Sequence, residues 1–137
     1  MDEFFDKQYV LVSAENFEEY LAFIDVGYVA RKLAANLKPI QSLRKNEDGT
    51  YTFSFKSKLV NHEITFVPGV EFEERKPDGV KVRALITFEG NKMTHIQIES
   101  NGRTSKHVRQ FFHDKLIITT TAEGLNKTVT RIFELAQ

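Results

Sequence analysis

Asp78-Gly79-Val80-Lys81-Val82-Arg83-Ala84-Leu85-Ile86-Thr87-Phe88-Glu89-Gly90-Asn91 carries the architecture of this chain in one line. Val80, Val82, Ala84, Ile86 and Phe88 alternate with Lys81, Arg83, Leu85, Thr87 and Glu89, the period-two pattern of a strand with one buried and one mostly wet face. Asp-Gly and Gly-Asn close its two ends, residue pairs suited to the positive φ angles of tight hairpins. The same pattern recurs upstream. Tyr51, Phe53 and Phe55 alternate with Thr52, Ser54 and Lys56, and Ile64 and Phe66 with Glu63 and Thr65. Turn pairs punctuate the chain at Asp48-Gly49, Pro68-Gly69, Asn101-Gly102, His113-Asp114 and Glu123-Gly124. The whole reads as about nine or ten short strands joined by hairpins.

Before Ile40 the period changes. Tyr9-Val10-Leu11-Val12 is a short apolar run, best read as a strand. Phe17, Tyr20, Leu21 and Ile24 then fall at i, i+3, i+4 and i+7, one face of a helix. Asn16 stands where an N-cap belongs, with Glu18 and Glu19 in the first turn. Asp25-Val26-Gly27 interrupts this helix and caps a second, whose apolar face is Val29, Leu33 and Leu37. Lys38-Pro39 ends it, because a residue before proline is pushed out of the α region.

A meander of antiparallel strands leaves unpaired edges unless the sheet closes on itself. The expected fold is therefore all-β, a ten-stranded antiparallel up-and-down barrel, with a helix-turn-helix lid over about residues 16–37. A barrel that wide encloses more space than side chains fill. One domain spanning residues 1–137 is expected.

Composition narrows the function. Lys+Arg and Asp+Glu both number 19, and this balance argues against a dedicated nucleic-acid binder. There is no cysteine, hence no disulfide framework and no thiolate chemistry. Met1-Asp2-Glu3-Phe4-Phe5-Asp6 is acidic and lacks the apolar core of a signal peptide, and no run approaches the roughly 20 apolar residues that span a bilayer. The cytoplasm is the expected location. His62, His95, His107 and His113 form no His-x-His or His-Glu-x-x-His pair, so no metal is expected. No Gly-x-Ser-x-Gly or phosphate-cradling loop is present, and no nucleophile stands with its base. Neither an enzyme nor a cofactor is expected. The 12 phenylalanines form either a packed core or the lining of an apolar cavity.

The informative anomalies are charges on faces that alternation turns inward. Arg131 shares a face with Val129 and Phe133, and Arg109 shares one with His107 and Phe111. A buried arginine stays charged and is costly to leave unpaired. Its partner is either an internal acid such as Glu99, or ordered water, or a ligand carboxylate held in bidentate fashion. Met93, His95, Gln97 and Glu99 form a further same-face series opposite Thr94, Ile96 and Ile98. Periodicity favours Ile96 and Ile98 as the inward pair and the polar stripe as surface. Arg31, Lys32 and Lys38 read as a solvated helix face, or as a weak docking patch for anionic membranes.

Taken together, several stretches resemble the intracellular fatty-acid-binding proteins of the calycin superfamily. They are Lys7-Gln8-Tyr9-Val10-Leu11 through Asn16-Phe17-Glu18-Glu19-Tyr20-Leu21, Ala30-Arg31-Lys32, Asn61-His62-Glu63-Ile64-Thr65-Phe66, Gly69 to Glu74, Val108-Arg109 and Thr130-Arg131-Ile132-Phe133. The resemblance runs the length of the chain. It implies a lid-capped barrel that binds and carries a long-chain fatty acid or related carboxylate. Arg109 and Arg131 match the family's two head-group arginines, whereas Phe133 stands where a tyrosine is usual. Leu59 takes the place of an aromatic at the portal, and Tyr9 that of a frequent tryptophan. Retinol-type members carry Gln at the arginine positions, so an acid is implied here, with retinoic acid as an alternative. A third alternative is an interaction module whose arginines pair internally. Phe17, Tyr20, Leu21, Val29 and Leu33 are the expected lid residues, with transient membrane contact through them. A monomer is expected, because nothing signals an oligomer.

Overall fold

The computed structural model describes residues 1–136. Ten strands follow one another: β1 (Tyr9–Glu15), β2 (Ile40–Lys45), β3 (Tyr51–Lys56), β4 (Asn61–Phe66), β5 (Phe72–Arg75), β6 (Lys81–Glu89), β7 (Lys92–Ile98), β8 (Thr104–Phe111), β9 (Lys115–Ala122) and β10 (Val129–Leu135). Two helices, α1 (Phe17–Phe23) and α2 (Tyr28–Ala35), are inserted between β1 and β2. The strands form one antiparallel sheet in the order β4-β3-β2-β1-β10-β9-β8-β7-β6-β5. Every neighbour in space is a neighbour in sequence except β1 and β10, whose pairing bends the sheet into the expected barrel. β4 and β5 share no ladder. Across that seam Phe66 and Phe72 stack at 6.3 Å, and the Gly69 N–H donates to Ile86 O at 2.9 Å.

Local chemistry accounts for the elements. In β6, Val82, Ala84 and Ile86 are buried between exposed Lys81, Arg83 and Thr87, as alternation predicts. Gly79 adopts φ 87° in the β5–β6 turn, a left-handed conformation that glycine enters without a Cβ penalty. The Asp78 carboxylate closes the same turn by accepting from the Val80 N–H at 3.0 Å. β1 carries a register shift between Leu11 and Ser13, and pairs with β2 only through Tyr9 and Val10. Bulges bend a strand in this way, and here the bend lets β1 part from β2 where the helices enter.

The helices depart from expectation in detail. Asn16 stands at the N-terminus of α1 with φ 64°, but its side chain makes no cap bond. It donates instead to Thr128 O at 3.0 Å, tying the helix to the start of β10. α2 ends at Ala35, so Leu37 lies beyond it.

The interior is solid at one end and hollow at the other. The floor is a close-packed cluster that includes Tyr9, Leu43, Phe111, Leu116, Ile118 and Phe133, all essentially without exposure. A single 3₁₀ turn, Asp2–Phe4, plugs it from outside, with Phe4 stacked on Phe111 at 5.9 Å. At roughly 1.5–3 kcal/mol per large buried apolar side chain, this floor is a main source of stability. At the other end Tyr20 of α1 and Ile24 just after it pack on Ala122 and Val129.

The expectation that Ile96 and Ile98 point inward is overturned. Met93, His95 and Gln97 are buried, whereas Ile96 and Ile98 are only partly covered. Register is the reason: His95 pairs with Ile86 and Gln97 with Ala84, so both lie on the inward face of β6. Polarity does not forbid this, because the buried groups satisfy one another. Glu99 is likewise not the internal acid. It is engaged by Arg103 in the β7–β8 turn.

Candidate functional site

Between floor and lid lies a cavity of about 370 Å³. Phe53, Phe55, Ile64, Leu59 and residues of both helices make its apolar wall, and Gln41, Glu74, His95, Gln97, His107, Arg109 and Arg131 make its polar one. A groove of about 580 Å³ on the outer face of β5–β7 differs in kind. It is edged by the exposed ion pairs Glu71–Arg83 and Glu73–Lys81, which solvent screens.

The polar wall is a connected network whose protons can be assigned from chemistry. The Glu74 carboxylate can only accept. His95 Nε2–H donates to Glu74 Oε1 at 2.6 Å, and Gln97 Nε2 donates to Oε2 at 3.0 Å. A guanidinium can only donate, so Arg109 Nη1 donates to His95 Nδ1 at 3.1 Å. His95 is thereby held as the neutral Nε2–H tautomer. With its amide nitrogen on Glu74, Gln97 presents Oε1 to His107 Nε2–H at 2.8 Å. The Thr120 hydroxyl then donates to His107 Nδ1 at 2.7 Å.

Burial drives the titration of this wall. Desolvation holds His107 well below its ordinary pKa, reinforced by nearby positive charge, and lowers His95 against the pull of Glu74. Desolvation would raise the Glu74 carboxyl, but the contacts from His95 and Gln97 and the Arg109 cation outweigh it, and the carboxyl stays below its usual range.

The two arginines share burial and differ in company. Burial and the Arg131 cation pull Arg109 down to about 9, so it remains charged at neutral pH. Besides His95, Arg109 reaches Gln41 Oε1 at 3.4 Å and lies over the Phe53 ring at 4.4 Å. Arg131, pulled to about 10 by burial, sits under the Phe17 ring of α1 at 4.6 Å. Its Nε is buried with no hydrogen-bond partner among the described residues. Tyr20, beside it on α1, donates its hydroxyl to Ser105 Oγ at 2.9 Å, and burial raises the phenol pKa.

The fold brings Arg109, Arg131, Phe17, Tyr20, Leu21, Leu33 and Leu59 to one cavity. Leu33 and Leu59 are also strongly exposed, which puts them at its rim. Val29 is 70% exposed on the outer side of α2 and is not part of the lining. Phe133 lies in the floor cluster, below the cavity. Sequence reasoning missed Glu74. Its signal was parity with Phe72 two residues earlier, masked by the run Glu71-Phe72-Glu73-Glu74, which reads as solvated charge. Among the described residues no group of three or more His, Asp or Glu could hold a metal ion.

The chain, a lid-capped ten-stranded barrel around a cavity with buried arginines, belongs to the lipocalin / cytosolic fatty-acid binding protein family. The family model described as lipocalin / cytosolic fatty-acid binding protein family matches residues 8–134. Fatty acid-binding protein homolog 6 of Caenorhabditis elegans is 38% identical over 121 residues, which are 87% of this chain and 89% of that protein. Among solved structures, a fatty acid-binding protein from brain tissue of Drosophila melanogaster is 36% identical with a TM-score of 0.88, covering 96% of this chain and 98% of its own. Apo lipid binding protein 8 of C. elegans is 31% identical with a TM-score of 0.88, covering 99% and 97%.

Proposed function

We propose that this protein binds a long-chain fatty acid in its cavity and carries it through the cytosol without altering it. The observation behind this reading is Arg131, a permanent cation nine-tenths buried at the cavity wall whose Nε has no hydrogen-bond partner among the described residues. A ligand carboxylate supplies the missing acceptors. The names of the relatives point to the same ligand class.

Magnitudes assign the labour. Burying about 12 methylenes gives roughly 10 kcal/mol gross, against about 1.5–3 kcal/mol for a charge-assisted hydrogen bond. Micromolar affinity requires about 8 kcal/mol. The acyl chain therefore supplies most of the affinity, and Arg131 fixes direction and selects acids.

Catalysis finds little support. Thr120 and His107 form a hydroxyl–imidazole pair, but Thr120 is 1% exposed and outside the lining, and the depressed His107 is a poor base. The exposed Tyr28, Val29 and Leu33 beside Arg31 and Lys32 make α2 the face for transient contact with an anionic membrane, the protein acting as a monomer.

Mass spectrometry of lipid extracted from the purified protein tests the reading, with fatty acid expected and a retinoid as the alternative result. Arg131→Gln is expected to weaken fatty-acid binding about ten- to a hundredfold with the barrel intact. An unchanged dissociation constant would remove Arg131 from the site.

A further inference from the structure

We infer that Glu74 sets the charge of the head group this cavity accepts: by compensating Arg109 through His95 it leaves Arg131 as the one uncompensated cation, so the site takes monoanionic head groups and rejects dianionic ones. The inference rests on the fatty-carboxylate reading above and adds a specificity-determining residue to it.

Charge bookkeeping around the cavity carries the argument. The lining holds three cations, Lys76, Arg109 and Arg131, and two carboxylates, Glu74 and Asp78. His62, His95 and His107 also line it and count as neutral, as in the net charge of the chain. Lys76 Nζ lies 3.5 Å from Asp78 Oδ2, so that pair closes on itself at the mouth. Arg109 and Glu74 are joined by one imidazole, with bonds of 3.1 and 2.6 Å on its two sides. The second Glu74 oxygen is occupied by Gln97. One excess positive charge remains, on Arg131, although the whole chain is neutral. In a desolvated cavity a single negative charge meets its match there. A second is left unpaired and faces the Glu74 carboxylate, and buried unpaired charge is heavily penalised.

Laurate and dodecyl phosphate offer the same chain with different heads. The phosphate monoester has a second pKa of about 6 and is mostly dianionic at pH 8. At pH 8 the wild type is expected to bind laurate at least about tenfold more tightly than dodecyl phosphate. Glu74→Gln raises the excess charge to two and is expected to narrow that ratio by about tenfold or reverse it. Adding Arg109→Gln to Glu74→Gln returns the excess to one and restores the wild-type preference, which loss of a merely structural contact would not do. If Glu74→Gln fails to fold, the wild type still decides. Its laurate affinity holds steady from pH 7 to 8.5, while its dodecyl phosphate affinity falls about tenfold per pH unit, because only the monoanion is taken. An unchanged ratio in Glu74→Gln, or a flat pH profile for the phosphate, overturns the role of Glu74 and leaves the fatty-acid reading standing. A wild type that binds neither amphiphile sinks the fatty-acid reading itself, and this one with it.

Discussion

Arg109 and Arg131 are both buried arginines on inward strand faces, yet their surroundings differ. Arg109 spends its donors on His95 and Gln41, whereas Arg131 keeps Nε free of any described partner. His95, which supports Arg109, and His107 beside it also make stability depend on pH. His95 and His107 are held neutral in the fold, so below about pH 6.5 the unfolded chain binds protons there that the native state does not. Stability is thus complete above that pH and is lost as pH falls, at up to about 1.4 kcal/mol per pH unit for each group. Glu74, held low in the fold, extends the loss below about pH 4.3 by the same sign. Urea midpoints measured from pH 7.5 to 5 should fall accordingly, with a shallower slope in His107→Gln. A flat wild-type profile would contradict the neutral assignment.

The two lid helices differ in how they are fastened. Arg103, in the β7–β8 turn, donates from Nη1 to Phe23 O at 2.8 Å and from Nη2 to Asp25 at 3.1 Å, while Glu99 anchors the guanidinium from the other side. With the Phe17–Arg131 stack and the Tyr20–Ser105 bond, this clamps α1 at both ends. α2 buries no residue fully and rests chiefly on α1. Amide exchange is therefore expected to be fastest in α2, slower in α1 and slowest in the strands. Arg103→Ala should speed exchange in α1 about tenfold and leave the strands unchanged, because the clamp touches helix and turn only. Unaltered α1 protection would show that Arg103 does not hold the lid.

Across the whole molecule, packing and cavity are stacked along one barrel. A solid floor lets the other end be hollow without loss of the fold. The lid presents exposed Tyr28, Val29 and Leu33, and the β3–β4 turn exposed Leu59, on the same end as the cavity rim, with Arg31 and Lys32 close by. Transfer of a fluorescent fatty acid to vesicles is expected to be several-fold faster when they contain anionic lipid, and to lose that advantage in Arg31→Glu/Lys32→Glu, each basic residue contributing about 1 kcal/mol near such a surface. Equal rates to neutral and anionic vesicles would remove the membrane contact.

Strand alternation, hairpin pairs and one helical face sufficed for the barrel and its lid, because those patterns depend only on the period of the backbone. The inward arginines were legible for the same reason. The polar face of β7 and the acid at Glu74 were not, since polarity alone argues for solvent. Their burial follows from pairing with Ile86, Ala84 and Val82 of β6, a register no local pattern contains. That Arg109 is satisfied while Arg131 Nε has no partner among the described residues emerged only when β5, β7, β8 and β10 came together around one cavity, because compensation of charge is a property of neighbours and not of residues.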